Sequence, residues 1–118
     1  MLFCTTACAF LRPEIEIWLT CLASVAYTAK YSPDPLSFTV EDFASRLAVN
    51  TVNVYAAAKE AVAGFDTLPS ESIKTFIYTG NRLNIEVMPE LLDLGVGKAA
   101  SAYLIESWAK TYTQKGYK

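Results

Sequence analysis

The sequence contains no histidine. Histidine-based catalytic triads, zinc proteases and histidine general bases are therefore excluded. Cysteine is also scarce: Cys4, Cys8 and Cys21 are the three in the chain, and all lie near its N-terminus. A metal site would need further ligands, and an odd number of cysteines does not predict a disulfide framework. We therefore expect no bound metal, reduced cysteines and a cytoplasmic protein.

Charged residues make up only 19% of the chain, the net charge is −2, and Lys and Arg form no cluster. This distribution offers no electrostatic footprint for nucleic acid, so we expect no such partner. Hydrophobic residues at 53% of 118 positions exclude a disordered chain and fit about one domain. The apolar run at residues 2–11 is too short to span a bilayer and lacks the preceding positive charges of a signal peptide. We expect no membrane association and leave residues 1–14 unassigned.

Two segments have the apolar pattern of β-strands. Residues 15–22 alternate between apolar and other side chains, which predicts a partly buried strand. Residues 73–79 are apolar at nearly every position, as is typical of a strand buried on both faces of a parallel sheet. Gly80 and Asn81 are expected to end this second strand.

Two longer segments predict helices. Residues 40–63 carry one apolar stripe, with Thr39 as the N-cap and Gly64 as the expected stop. Residues 96–114 carry another, which Gly116 is expected to end. The order strand, helix, strand, helix predicts an α/β fold with a parallel sheet. Two strands are too few for a stable sheet, so the chain has the pattern of the middle of a larger fold.

Six short motifs follow one another along the chain in a fixed order. They are Asp34-Pro35-Leu36-Ser37, Glu41-Asp42-Phe43, Leu47-Ala48-Val49-Asn50-Thr51, the segments 55–62 and 76–81, and Leu94-Gly95-Val96-Gly97-Lys98-Ala99-Ala100. In this order and spacing they resemble the short-chain dehydrogenase/reductase family, and within it a fungal-looking group. The resemblance covers residues 15–118. It implies that these residues form the central part of a doubly wound, Rossmann-like parallel sheet that binds NAD or NADP.

Two residues match the working residues of that family. Its members use an asparagine on the fourth helix, a serine after the fifth strand, and a Tyr-x-x-x-Lys pair on the fifth helix. The tyrosine exchanges a proton with the substrate oxygen, and the lysine holds the ribose hydroxyls. Asn50 matches the asparagine and Lys98 the lysine. The resemblance thus implies that both are catalytic and that Lys98 also binds the cofactor, although a helical asparagine taken alone prefers to bond locally.

The other two positions depart from the family. Leu94 stands where the tyrosine is expected, and leucine has no proton to transfer. Near the position of the serine, Thr79 and Asn81 are the only polar side chains. Tyr78 is expected to point into the packing layers of the sheet, and Tyr103 lies more than a helical turn beyond the lysine. Neither is expected to replace the missing phenol.

The glycine-rich phosphate loop of the family, Gly-x-x-x-Gly-x-Gly, also occurs nowhere in the sequence. We therefore expect a truncated short-chain dehydrogenase/reductase-like protein that is catalytically silent. A working oxidoreductase would have to bind its cofactor without this loop. A further alternative is a non-enzymatic dimerisation module, a homodimer joined through the alanine-rich helices at residues 40–63 and 96–114.

Overall fold

The computed structural model of the chain describes residues 6–9, 19–24 and 27–118. Its main elements are β1 (Thr6–Ala9), β2 (Leu19–Ser24), α1 (Val40–Leu47), a π-helical segment (Ala48–Val52), α2 (Asn53–Asp66), β3 (Ile73–Tyr78) and α3 (Leu92–Tyr112). Short 3-10 turns occupy Arg82–Asn84, Pro89–Leu91 and Thr113–Lys115.

The three strands lie in the order β1-β2-β3. β2 and β3 are parallel, with Leu19 opposite Ile73, and the helical segment between them makes the crossover. This arrangement confirms the α/β class. β1 falls within the segment that the sequence left unassigned and runs antiparallel to β2. Pairing in β2 continues to Ser24, past the expected end of that strand at residue 22, while residues 15–18 lie outside the described part.

The helical segment after the first loop begins where the sequence predicts. Thr39 is the N-cap, and its Oγ1 accepts a hydrogen bond from the Asp42 amide at 3.1 Å. The expected stop at Gly64 is wrong, because Gly64 keeps a helical conformation and α2 runs on to Asp66. Thr67 ends the helix instead: its amide and its Oγ1 both donate to the Gly64 carbonyl, at 3.1 and 2.7 Å.

β3 ends at Tyr78, as the sequence predicts to within one residue, but it is not buried on both faces. Ile73 and Ile77 are 45% and 50% exposed, whereas Lys74 and Phe76 are buried. The reason is that α2 and α3 pack on the face of β3 that presents Phe76. On that face Phe76 joins a core cluster with Ala58, Ala61, Phe65, Trp108 and Tyr117.

The last helix starts earlier than predicted. α3 begins at Leu92, after the 3-10 turn that Pro89 opens, so Gly95 lies inside the helix rather than ahead of it, and Gly97 lies in its second turn rather than at its start. Its end is as predicted, since Gly116 adopts a left-handed conformation with φ 76°. Tyr117 then forms a single parallel bridge with Lys74 beside β3.

Candidate functional site

Lys98 of α3 is buried, with 7% of its surface exposed, near the C-terminal end of β3. Its Nζ donates hydrogen bonds to Tyr78 Oη at 2.9 Å and to the Thr79 carbonyl at 3.2 Å. A buried ammonium needs such acceptors because burial removes its hydration. The ammonium has three N–H donors. Within residues 27–118 two of them are used, which leaves one for a ligand.

Asn50 is fully buried in the π-helical segment between α1 and α2. An isolated asparagine in a helix would bond to backbone groups nearby in sequence, but the Asn50 side chain does not. Instead Oδ1 accepts from the Thr28 amide at 2.8 Å, and Nδ2 donates to the Thr28 carbonyl at 2.9 Å. Both ends of the amide are therefore occupied by the backbone of the preceding loop. Asn50 thus lies in a π-helical turn, which is wider than an α-helical one, and such turns are frequent at functional sites.

The π-helical segment and α3 are in direct contact beside Lys98. A Cβ placed on Gly97 would lie 2.3 Å from the Asn50 Cβ, so only glycine fits there. Thr51 Oγ1 donates to the Gly97 carbonyl at 3.2 Å, and Ser101 Oγ donates to the Asn50 carbonyl at 2.7 Å. The structure thus brings the neighbourhoods of Asn50 and Lys98 together. No hydrogen bond between these two side chains is present among the described residues.

The remaining sequence candidates take other roles. Leu94 is 6% exposed and lies one helical turn before Lys98. Asn81 caps the following 3-10 turn, where its Oδ1 accepts from the Leu83 amide at 3.0 Å. Thr79 has an exposed side chain and contributes its carbonyl to Lys98. In the described structure, none of the three offers a phenol or a buried hydroxyl in place of the family's tyrosine and serine.

Tyr78 was not expected to contribute to the site. It does pack against the core cluster, as the sequence predicts, but its hydroxyl also reaches Lys98. The sequence contained one signal for this. Alternation along β3 puts residue 78 on the same face as Phe76, the face that α3 covers. The apolar residues on both faces of β3 concealed that alternation.

A second buried polar cluster was also missed. Asp93, the second residue of α3, is 1% exposed, and its Oδ2 accepts from the Lys30 amide at 3.2 Å and from Arg46 Nη1 at 3.4 Å. Arg46 Nη1 also lies 3.4 Å from Thr28 Oγ1. The cluster fixes residues 28–30 against α1 and α3. It therefore supports Thr28, the residue that Asn50 binds.

In the part of the chain that the structure describes, no three His, Cys, Asp or Glu side chains come together as a metal site requires. The helices in that part are each too short or too polar to cross a membrane.

Comparisons with known proteins bear on the family and the fold of the chain. The chain is 43% identical over 96 residues to a short chain dehydrogenase/reductase, dmxR12, of Cryptosporiopsis sp. (strain 8999), covering 81% of this chain and 38% of the relative. A short chain dehydrogenase from Mycobacterium smegmatis superposes with a TM-score of 0.74 at 16% identity, over 83% of this chain and 39% of that one. The landomycin C-6 ketoreductase LanV, with bound NADP and rabelomycin, gives 0.70 at 17% identity, over 83% and 38%. No family model matches the sequence.

The chain belongs to the short-chain dehydrogenase/reductase family and spans 38% of the length of the curated relative that it matches. The two solved structures named above are less than 20% identical to this chain, and they support its fold.

The residues around Lys98 fit one end of a nicotinamide cofactor. Among the described residues Lys98 has a donor left for a ribose hydroxyl, and the carbonyl and phenol that accept its other two hydrogen bonds fix its position. The phosphates have no such partner in this sequence, because a glycine-rich loop is what lets backbone amides approach a pyrophosphate. The chain therefore fits the ribose end of the cofactor and not its phosphates.

Proposed function

We propose that this chain forms the part of an NAD(P)-dependent oxidoreductase domain, built on a doubly wound Rossmann-like sheet, that holds the nicotinamide ribose. The observation that carries the proposal is the buried Lys98, whose ammonium is fixed at the C-terminal end of β3 and keeps one donor that no residue in the described part of the chain uses. Ligands of open α/β sheets bind at the carboxyl ends of the strands. LanV and a 2-deoxy-d-gluconate 3-dehydrogenase-like protein from Agrobacterium tumefaciens both have NADP bound, which favours NADP or NAD here.

Each site residue has its own part in this proposal. Lys98 donates a hydrogen bond to a ribose hydroxyl, and its positive charge lies beside the reacting end of the site. Asn50 acts on the loop: it holds both backbone groups of Thr28 while Gly97 packs against it. The cofactor, when bound, supplies or accepts a hydride. Under this proposal, Asn50 fixes the position of α3, and α3 fixes the position of Lys98.

The usual proton donor of the family is missing. Leu94 has an apolar, buried side chain at the position of the tyrosine, so the chain is catalytically silent by that route. The cytoplasmic location and the lack of a nucleic-acid partner stay predictions from composition.

Titration of NADPH into the purified 118-residue chain, followed by cofactor fluorescence, tests the proposed ribose site. Wild type is expected to bind saturably, and Lys98→Met to weaken binding about tenfold or more, which corresponds to roughly 1.4 kcal/mol. Lys110→Met is the matched control, because Lys110 is an exposed lysine on the same helix. The proposal is wrong if wild type shows no saturable binding at millimolar NADPH, or if the two variants bind alike while circular dichroism shows both folded.

A groove between α2 and α3 supports a second candidate function, a homodimer. The groove has a volume of about 520 Å³ and is lined by Tyr55, Ala58, Lys59, Val62, Tyr103, Leu104, Ser107, Trp108, Thr111 and Tyr112. Tyr55 and Tyr103 are 60% and 76% exposed at its rim. Exposed aromatic side chains beside an apolar groove are typical of interfaces. The expected partner is a second copy of the chain, with the two grooves facing each other across a two-fold axis.

Sedimentation equilibrium tests the homodimer. The wild-type chain is expected to dimerise, and Tyr103→Asp to shift it towards monomer by placing a charge in the interface. Tyr31→Asp serves as the control, since Tyr31 is 68% exposed and lies away from the groove. A wild-type chain that stays monomeric at high concentration would exclude this second function.

A further inference from the structure

Tyr78 and Lys98 form a phenol–ammonium pair whose tyrosine comes from β3, whereas the family pattern takes the tyrosine from the same helix as the lysine. The Nζ of Lys98 lies 2.9 Å from Tyr78 Oη and 4.7 Å from the centre of the ring. The ammonium therefore contacts the hydroxyl oxygen and also lies within cation–π distance of the ring. An ammonium group has no lone pair and cannot accept a hydrogen bond, so Lys98 donates and the phenol oxygen accepts.

This direction leaves the phenolic proton of Tyr78 available. Among residues 27–118 the only hydrogen-bond partner of Tyr78 Oη is Lys98 Nζ. A hydroxyl carries one proton to donate besides the lone pairs that accept. That proton can thus be given to an oxygen atom of a ligand, and the cation at 2.9 Å stabilises the negative charge that its departure leaves on the phenol.

The pair also lies in a suitable place. Tyr78 is the last residue of β3, at the edge of the sheet where ligands of α/β folds bind. Leu94, one turn before Lys98, adds a buried apolar side chain and no competing acceptor. The Tyr78 ring contacts the core cluster, and its hydroxyl oxygen accepts from the buried ammonium through a lone pair, a bond that does not use the phenolic proton.

We propose that Tyr78 is the proton donor of this site and takes over the part that a tyrosine at position 94 would have had. The inference rests on the proposed cofactor site. In carbonyl reduction the substrate carbon accepts a hydride, with its two electrons, from the reduced nicotinamide cofactor as the C=O π bond breaks. The substrate oxygen takes the Tyr78 proton as the O–H bond breaks, which gives an alcohol. Tyr78 is left as a phenolate beside Lys98 and regains its proton from water.

Tyr78→Phe separates the hydroxyl from the ring. It keeps the aromatic packing and removes the hydroxyl. The readouts are NADPH binding by fluorescence and reduction of acetophenone at saturating NADPH, an aromatic ketone chosen because Leu94 makes the site apolar. Tyr78→Phe removes one of the two acceptors that position Lys98, so NADPH binding is expected to weaken only severalfold. Turnover at saturating NADPH is expected to fall about a hundredfold or more, the usual contribution of a general acid. Tyr31→Phe, an exposed tyrosine outside the site, is expected to change neither.

A second measurement does not depend on turnover. In a chain with 13C at the tyrosine Cζ, the Tyr78 resonance is assigned by its loss in Tyr78→Phe. Acetophenone added to the NADP⁺-loaded chain is expected to shift this resonance and to leave that of Tyr31 unchanged. In Lys98→Met, where the cation is lost, the turnover is expected to fall as well.

The outcomes distinguish the two proposals. A chain that binds no NADPH contradicts the proposed cofactor site and, with it, the role of Tyr78. A chain that binds NADPH contradicts the role of Tyr78 alone if it reduces no acetophenone, if Tyr78→Phe reduces it as fast as wild type, or if the Tyr78 resonance does not move.

Discussion

Gly97 lies directly against the side chain of Asn50. A methyl group at Gly97 would meet the Asn50 Cβ at 2.3 Å and its Cγ at 3.2 Å. Asn50 cannot move away, because its amide is bonded at both ends to the Thr28 backbone. The contact lets α3 approach the π-helical segment closely, and Lys98 is the next residue along α3. The position of the lysine therefore depends on the absence of a side chain at Gly97.

Gly97→Ala is expected to destabilise the chain by about 1–3 kcal/mol, the usual result of overpacking a close contact. Gly64→Ala is the control, since Gly64 is also helical and a Cβ there meets nothing within 4 Å. It is expected to stabilise the chain by about 0.5–1 kcal/mol through helix propensity. Urea unfolding followed by circular dichroism measures both. Equal effects of the two substitutions would contradict the close approach.

Removing the Asn50 side chain is expected to cost roughly 1–3 kcal/mol, because Asn50→Ala leaves the amide and the carbonyl of Thr28 without their partner. Asn53→Ala, three residues further along and exposed, is expected to stay within about 0.5 kcal/mol of wild type. The free energy of unfolding in urea gives the comparison. If the two alanine variants unfold at the same denaturant concentration, Asn50 does not hold the loop.

Periodicity and capping residues were enough to predict the helices and β3, because Thr39, Gly116 and the apolar stripes are local signals. Asn50 and Lys98 were predicted from the resemblance and not from these local patterns. Neither the patterns nor the resemblance could predict contacts between residues distant in sequence. The contact between Gly97 and Asn50 is one of these, because the two residues lie on different helical segments. The hydrogen bond between the Tyr78 hydroxyl and Lys98 likewise depends on which face of β3 the helices cover. The sequence does not indicate that face, because β3 has apolar residues on both.

The ion pair between Arg46 and Asp93 is expected to matter although its geometry is long, at 3.4 Å. The Asp93 side chain is fully buried and that of Arg46 is 20% exposed, so Arg46→Met leaves a buried carboxylate without its cation. We expect a loss of roughly 3 kcal/mol, the lower end of the range for breaking a buried pair, because water still reaches the guanidinium.

Arg82→Met is the matched control for Arg46→Met. Arg82 pairs with Glu86 on the surface, where its side chain is 72% exposed, and such pairs contribute about 0–1 kcal/mol. Thermal unfolding at neutral pH compares the two variants. A larger loss in Arg82→Met than in Arg46→Met would show that the Asp93 cluster is not structural.

The hydrogen bond from Tyr117 to Asp66 predicts a specific dependence of stability on alkaline pH. This bond, with burial of the ring, raises the pKa of Tyr117 to about 12 from its ordinary value of 10.0, and it lowers the pKa of Asp66. Because the folded-state pKa of Tyr117 is raised, its contribution to stability is fully present below pH 10 and is lost as pH rises from about 10 to about 12. For Asp66 the pKa is depressed, so its contribution is present above the ordinary carboxyl pKa and is lost as pH falls below it.

Tyr117→Phe isolates this effect, because it keeps the ring that packs edge-to-face on Phe65 at 5.3 Å and removes the hydroxyl. The melting temperature is measured from pH 8 to pH 12 for wild type, Tyr117→Phe and Tyr31→Phe, the last as an exposed control. The difference between wild type and Tyr117→Phe is expected to be constant below pH 10 and to shrink above it. Tyr31→Phe is expected to follow wild type throughout, because it leaves the hydrogen bond between Tyr117 and Asp66 intact. A wild-type advantage over Tyr117→Phe that grows above pH 10 would mean that Tyr117 does not keep its proton through a bond to Asp66.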